Sequence, residues 1–109
     1  MTRPQLRFFA EYQCYPTWIT LPEGGEDNPD PRDLGLPDEL ATAVVQWSDD
    51  FDALFDVDDF SAPLFTSGED EAAFDARGRA LAEQVAAVLR DRFEVRYHGL
   101  ADPAWVTLG

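Results

Sequence analysis

At 109 residues the chain is long enough for one domain with a modest core, and 45% apolar residues with three Trp, three Tyr and eight Phe separate it from a disordered acidic tail. A formal net charge of −14 disfavours nucleic-acid phosphates and anionic membrane surfaces as direct partners. No run of eighteen apolar residues is present to make a transmembrane helix.

The charge is unevenly placed. Residues 1–22 carry two Arg against one acid, and residues 76–109 carry five Arg against four acids, so each end has a net charge of +1. Between them, residues 23–75 hold seventeen acids against Arg32 alone, a net −16. A salt-adapted host would spread acids over every surface. The confinement counts against that origin, and the absence of lysine equally suits a GC-rich genome. The opening "MTRPQLRFFAEYQ" lacks an apolar run ending in a small-residue cleavage site and does not read as a signal peptide. Cys14 has no second cysteine to pair with, which suits a reducing cytoplasm, the expected location.

In chain order, "QLRFFAEYQC" (5–14) reads as a strand with Leu6, Phe8, Ala10, Tyr12 and Cys14 on one face and Arg7, Phe9, Glu11 and Gln13 on the other. "TWITL" (17–21) follows Pro16 as a second short strand, and the Pro- and Gly-rich stretch at about 22–36 reads as a surface loop. "GLPDEL" signals a helix start, with Pro37 at the first helical position and Asp38 and Glu39 at the positive end of the dipole. Leu40, Val44, Trp47, Phe51 and Leu54 form one stripe of a helix placed at roughly 37–56, with Asp38, Asp49, Asp52 and Asp56 on the opposite side. A second loop covers about 57–67. Ser67 and Asp70 match a capping box that opens a second helix to about residue 91, with a stripe of Phe74, Gly78, Leu81, Val85 and Val88. Gly78 within that stripe suggests close approach to a neighbouring element. "FEVRYH" (93–98) alternates as a strand with Glu94, Arg96 and His98 outward, and after a turn through "GLADP", "AWVTL" (104–108) offers a last short strand. The expected fold is a single α/β (α+β) domain over 1–109, a small sheet of two to four strands with two amphipathic helices packed on one face.

Catalytic chemistry finds little support. His98 is the only histidine and reads as a surface residue, and Cys14 reads as a buried inert thiol. No G-x-S-x-G or phosphate loop occurs, and one Cys with one His excludes a zinc site. Counting from Asp50 the fifth position is Leu54, and from Asp56 it is Phe60, so neither start makes a calcium loop. Neither an enzyme nor a cofactor is expected.

What remains is "DDFDALFDVDDF", residues 49–60, with six carboxylates, no cation and three phenylalanines. Carboxylates this close to a helix C-terminus oppose the dipole, so helix stability alone does not favour them. Phe51, Phe55, Phe60, Leu64 and Phe65 cannot all be buried beneath one helix. Aromatic anchors ringed by charge resemble a protein–protein interface, where the anchors give affinity and the charges give fast, salt-sensitive association. The alternative from another class is a structural or regulatory domain whose acids serve only solvation.

"FFAEYQCYPTWI", the "LGLPDEL" helix start with Trp47, and "EAAFDARGRALAEQVAAVL" leading into "EVRY" together resemble the small acidic immunity proteins of bacterial polymorphic and contact-dependent toxin systems. The resemblance implies a non-catalytic inhibitor that binds a toxin domain, often a basic nuclease, and blocks its active site or groove. It carries no motif from which site residues can be transferred. The candidate partner-binding residues therefore rest on charge and aromatic placement: Asp49, Asp52, Asp56, Asp58 and Asp59 for charge, Phe55 and Phe60 as anchors. The expected partner is a basic protein, with no direct nucleic-acid or membrane contact. A DNA-mimicking regulator of a nucleic-acid-handling protein would use the same surface.

Overall fold

The computed structural model describes residues 3–100 and 105–108. Its elements run β1 (Gln5–Phe8), β2 (Thr17–Thr20), β3 (Glu26–Asp27), a 3-10 turn (Pro31–Asp33), α1 (Asp38–Asp52), α2 (Gly68–Leu89), β4 (Glu94–His98) and β5 (Trp105–Thr107). They make an α+β fold with one sheet in the order β3-β2-β1-β4-β5. β1 lies parallel to β4, and the other neighbours are antiparallel. The sheet has one strand more than the sequence-based upper bound of four. The extra strand, β3, is two residues long and lies within the stretch read as a loop. Pro103 and most of the turn expected there lie outside the described residues.

Alternation assigns the faces. Leu6 pairs with Val95 and Phe8 with Tyr97, and all four are buried beneath the helices. Arg7, between them, points to the other side. The apolar stripe of α1 meets this sheet face through Leu40, Val44, Trp47 and Phe51, joined by Phe74, Leu81, Val85 and Leu89 of α2. Ser67 caps α2 by accepting from the Asp70 N–H at 3.1 Å, but the Asp70 carboxylate accepts from the Thr66 hydroxyl at 2.7 Å, so the expected reciprocal box is only half formed. Pro37 stands at the N-cap of α1, one position before the helix proper.

Two boundaries differ from the sequence reading. β1 ends at Phe8 rather than Cys14, because β2 folds back on it: Phe9 N–H donates to Pro16 O at 3.0 Å, closing a loop over 10–15. The polar–apolar alternation of that stretch is therefore not strand periodicity. Tyr12 and Cys14 leave the sheet face. α1 ends at Asp52 rather than residue 56, with Leu54 and Phe55 N–H groups bonding three residues back in a tightening last turn. Acids without a basic residue in the final turn favour that early stop.

The two helices meet at Trp47 and Gly78. The indole is almost fully buried, stacks on Phe74 with ring centroids 4.9 Å apart, and donates through Nε1 to Phe74 O at 3.1 Å. A Cβ on Gly78 would overlap the indole, lying 2.6 Å from Trp47 Cε2. The expected close approach at Gly78 is thus occupied by Trp47. Gly78→Ala should destabilise the fold by about 1–3 kcal/mol through overpacking, despite the better helix propensity of alanine. Urea unfolding monitored by far-ultraviolet circular dichroism tests this; an unchanged midpoint would mean the indole has room to move.

Candidate functional site

The acidic segment divides once its surroundings are seen. Asp49 is exposed on α1 and, with Asp52, lines a cleft of about 480 Å³ against Gln13, Cys14 and Tyr15. Asp52 is half-buried, and its Oδ1 accepts from Gln13 N–H at 2.8 Å. Gln13 has φ 57°, a left-handed conformation unusual for a residue with a side chain, and this bond holds it there. Ser48 Oγ donates to Cys14 O at 2.9 Å, so the 10–15 loop is fastened to α1 at two points. Asp52 therefore has a structural task beside any role in binding.

Asp56, expected on the outer face of the helix, lies beyond its end, in the same loop as Asp58 and Asp59. Asp56 Oδ1 accepts from Asp58 N–H at 2.9 Å, and Asp59 Oδ1 accepts from Ser61 N–H at 3.0 Å and Ser61 Oγ at 2.5 Å. These are successive side-chain-to-backbone turns that shape the loop after α1. The Ser61 bonds lower the Asp59 pKa, keeping it anionic. The Asp49 and Asp58 carboxylates have no hydrogen bond or ion pair among the described residues and face solvent.

The aromatic groups do converge. Phe55 sits 4.3 Å from Tyr12 and 6.2 Å from Phe60 by ring centroid, Tyr12 sits 5.9 Å from Phe60, and Phe51 anchors the group from the core at 5.3 Å from Phe55. Phe55 is half-buried, whereas Phe60 is 61% and Val57 69% exposed. The result is an apolar knob edged by Asp56, Asp58 and Asp59. The sequence reading missed Tyr12 and Val57. Tyr12 was hidden because its stretch mimics a strand, and Val57 because it falls outside the helical stripe. Its position between Asp56 and Asp58 was the available signal.

Elsewhere, His98, Cys14 and Tyr97 are each held in a structural setting. His98 packs between Phe9 and Trp105, with centroids 6.5 and 4.8 Å away, and is half-buried rather than open to water. Cys14 is half-buried on the 10–15 loop. Burial, then the Glu11 and Asp52 charges, raise its pKa, which lowers its thiolate fraction. Tyr97 Oη donates to Asp75, and burial followed by that bond pushes its pKa well up. Among the described residues no three His, Cys, Asp or Glu side chains gather as a metal site, and no helix is long and apolar enough to cross a membrane. This arrangement suits binding through charge and exposed rings.

A family model described as "Serratia CdiI immunity protein-like" matches residues 4–99. Comparison with the curated proteins gave no match.

Asp50, the sixth carboxylate of the segment, contacts Arg77 of α2 at 2.5 Å, with both side chains close to half exposed. The Arg77 hydrogen bond holds its carboxyl below the ordinary 3.8. A carboxylate with a lowered folded-state pKa stabilises the fold above its unfolded pKa and loses that contribution as pH falls through the folded value. Given solvent screening, Asp50→Asn should cost no more than about 1 kcal/mol at pH 7, and the gap to wild type should close as pH drops below the ordinary carboxylate value. Paired denaturation curves at neutral and acid pH check this; a gap that persists in acid would assign the effect to something other than the ion pair.

Proposed function

The chain belongs to the Serratia CdiI immunity protein-like family, and from that membership we propose that it neutralises a cognate toxin domain stoichiometrically, through the acidic–aromatic end around residues 49–60. One observation carries the proposal: Phe60 and Val57 stand largely exposed on a loop that also carries Asp56, Asp58 and Asp59. A surface whose acids served solvation alone would not need two large apolar groups held in water beside them. Rings supported by Tyr12, Phe55 and Phe51 form a preordered anchor, so little side-chain freedom is lost on binding.

The partner that fits is a basic protein, with a nuclease as the candidate. Its phosphate-binding groove would receive Asp49, Asp52, Asp56, Asp58 and Asp59 in place of nucleic-acid phosphates, with Phe55 and Phe60 seated against apolar ground. Inhibition of this kind is occlusion and requires no catalysis or cofactor from the inhibitor. A cytoplasmic setting, where such a nuclease would meet its substrate, suits the proposal.

The test uses the toxin domain of the same contact-dependent inhibition system, purified as an inactive variant. Asp58→Arg with Asp59→Arg should slow association about tenfold at low salt and flatten its salt dependence. Phe60→Ala should leave folding within about 0.5 kcal/mol of wild type, since the ring is exposed. It should raise Kd roughly 30-fold through faster dissociation, the signature of an anchor worth about 2 kcal/mol. Unchanged on-rates and Kd in both variants would remove the acidic segment from the interface, and failure of the wild-type protein to protect cells that make the active toxin domain would sink the inhibitor role itself.

A further inference from the structure

The face of the sheet turned away from α1 and α2 has no element packed over it among the described residues, yet its side chains are organised. Register places Trp18, Arg7, Arg96 and Thr107 in one cross-strand row. The next row pairs His98 with Trp105, and Phe9, just past the end of β1, packs its ring against both. Phe9 stacks on Trp18 at 5.4 Å with an 8° interplanar angle and meets Trp105 edge-on at 5.9 Å and 88°. The Arg7 guanidinium lies 5.9 Å from both the Phe9 and the Trp105 ring centroids. Trp105 nevertheless remains 44% exposed.

Three properties bear on what this face meets. First, its main charges are already matched, Arg7 with Glu26 and Arg96 with Glu94, so it is close to neutral in a strongly acidic protein. Second, Arg7 Nε and Trp18 Nε1 are covered by neighbouring atoms without an acceptor. Buried donors left unmet are uncommon and favour rearrangement onto an acceptor when one is supplied. Third, the chain links the ring cluster to the acidic end: it leaves the cluster at Phe9 and three residues later places Tyr12 against Phe55 and Phe60. A second copy of the chain is a poor occupant, because it would bring a charge of −14 to an equal charge.

We propose that this open face is the second half of the toxin-binding surface, and that it takes an apolar segment of the same toxin carrying backbone carbonyl or carboxylate acceptors. The proposal rests on the inhibitor reading above and extends it: the acidic end meets the toxin's basic groups, while the open face supplies stacking area and two donors. The two halves differ in physics. Contacts at the acidic end weaken with salt, whereas those at a charge-matched aromatic face do not.

The chain's three tryptophans allow a direct test. The protein is labelled with 5-fluorotryptophan, its resonances are assigned by single Trp→Phe variants, and the unlabelled inactive toxin domain is added. The Trp18 and Trp105 signals should shift on binding, while that of core Trp47 should stay nearly in place. In parallel, Trp105→Ala should raise Kd about tenfold with an unchanged dependence of association on salt, unlike the charge reversals at Asp58 and Asp59. Saturating binding of the wild type with the Trp18 and Trp105 signals unmoved overturns the proposal and leaves the inhibitor reading intact. If the wild type does not bind the toxin domain at all, the inhibitor reading fails and this extension fails with it. Because the fluorine measurement uses the wild-type fold, it stays decisive even where Trp105→Ala does not fold.

Discussion

Trp47 against Gly78 is the contact on which the architecture depends. A residue with no side chain lets the indole lie on the backbone of α2, where Nε1 finds Phe74 O and the ring stacks on the Phe74 side chain. The same indole lies 5.5 Å from Phe8, so one residue joins both helices to the central strand of the sheet. Truncating such a residue typically costs about 3–5 kcal/mol, a large part of the stability of a domain this size. Everything toward the C-terminal end of α1, including the acidic loop, takes its position from that joint.

The carboxylates then separate by what the fold asks of them. Asp50 ties α1 to α2 through Arg77, and Asp52 holds Gln13 in its left-handed conformation. Asp56 and Asp59 spend lone pairs on the backbone of the loop they occupy. Mutual repulsion among the six acids of residues 49–60 is thereby offset in part by local hydrogen bonds and one cation. Among the described residues Asp49 and Asp58 have no such task, which leaves their charge for solvent or a partner. An acidic run that looks uniform in composition is thus partly structural and partly available.

The aromatic residues show a similar division. Phe51 and Phe74 belong to the core, Phe55 and Tyr12 form a half-buried support, and Phe60 stands on top of it. Across the sheet, Phe9, Trp18, His98 and Trp105 make a second assembly of rings beside matched charges. The 10–15 loop connects the two assemblies because it starts at the end of β1 and is fastened to α1 through Ser48 and Asp52. One short loop therefore links the two ring systems along the chain.

Much of this was legible in the residues. The stripe Leu40–Val44–Trp47–Phe51, the alternation Phe93–Val95–Tyr97, the Ser67 cap and the notch at Gly78 are local patterns, and local patterns reflect the period of the element that carries them. Composition likewise marked 49–60 as acidic and aromatic. Tertiary structure decided what periodicity does not encode. β1 stops at Phe8 because its partner strand returns at Thr17, a long-range pairing that no alternation in 9–14 reveals. Tyr12 joins Phe55 and Phe60 only because that loop docks on α1, and Phe9 meets Trp18, His98 and Trp105 only because β1 lies between β2 and β4. The sequence by itself determined which segments are amphipathic and where the charge lies, since both are properties of neighbouring residues. Which acids remain free and which rings assemble was settled by contacts between residues distant in the chain.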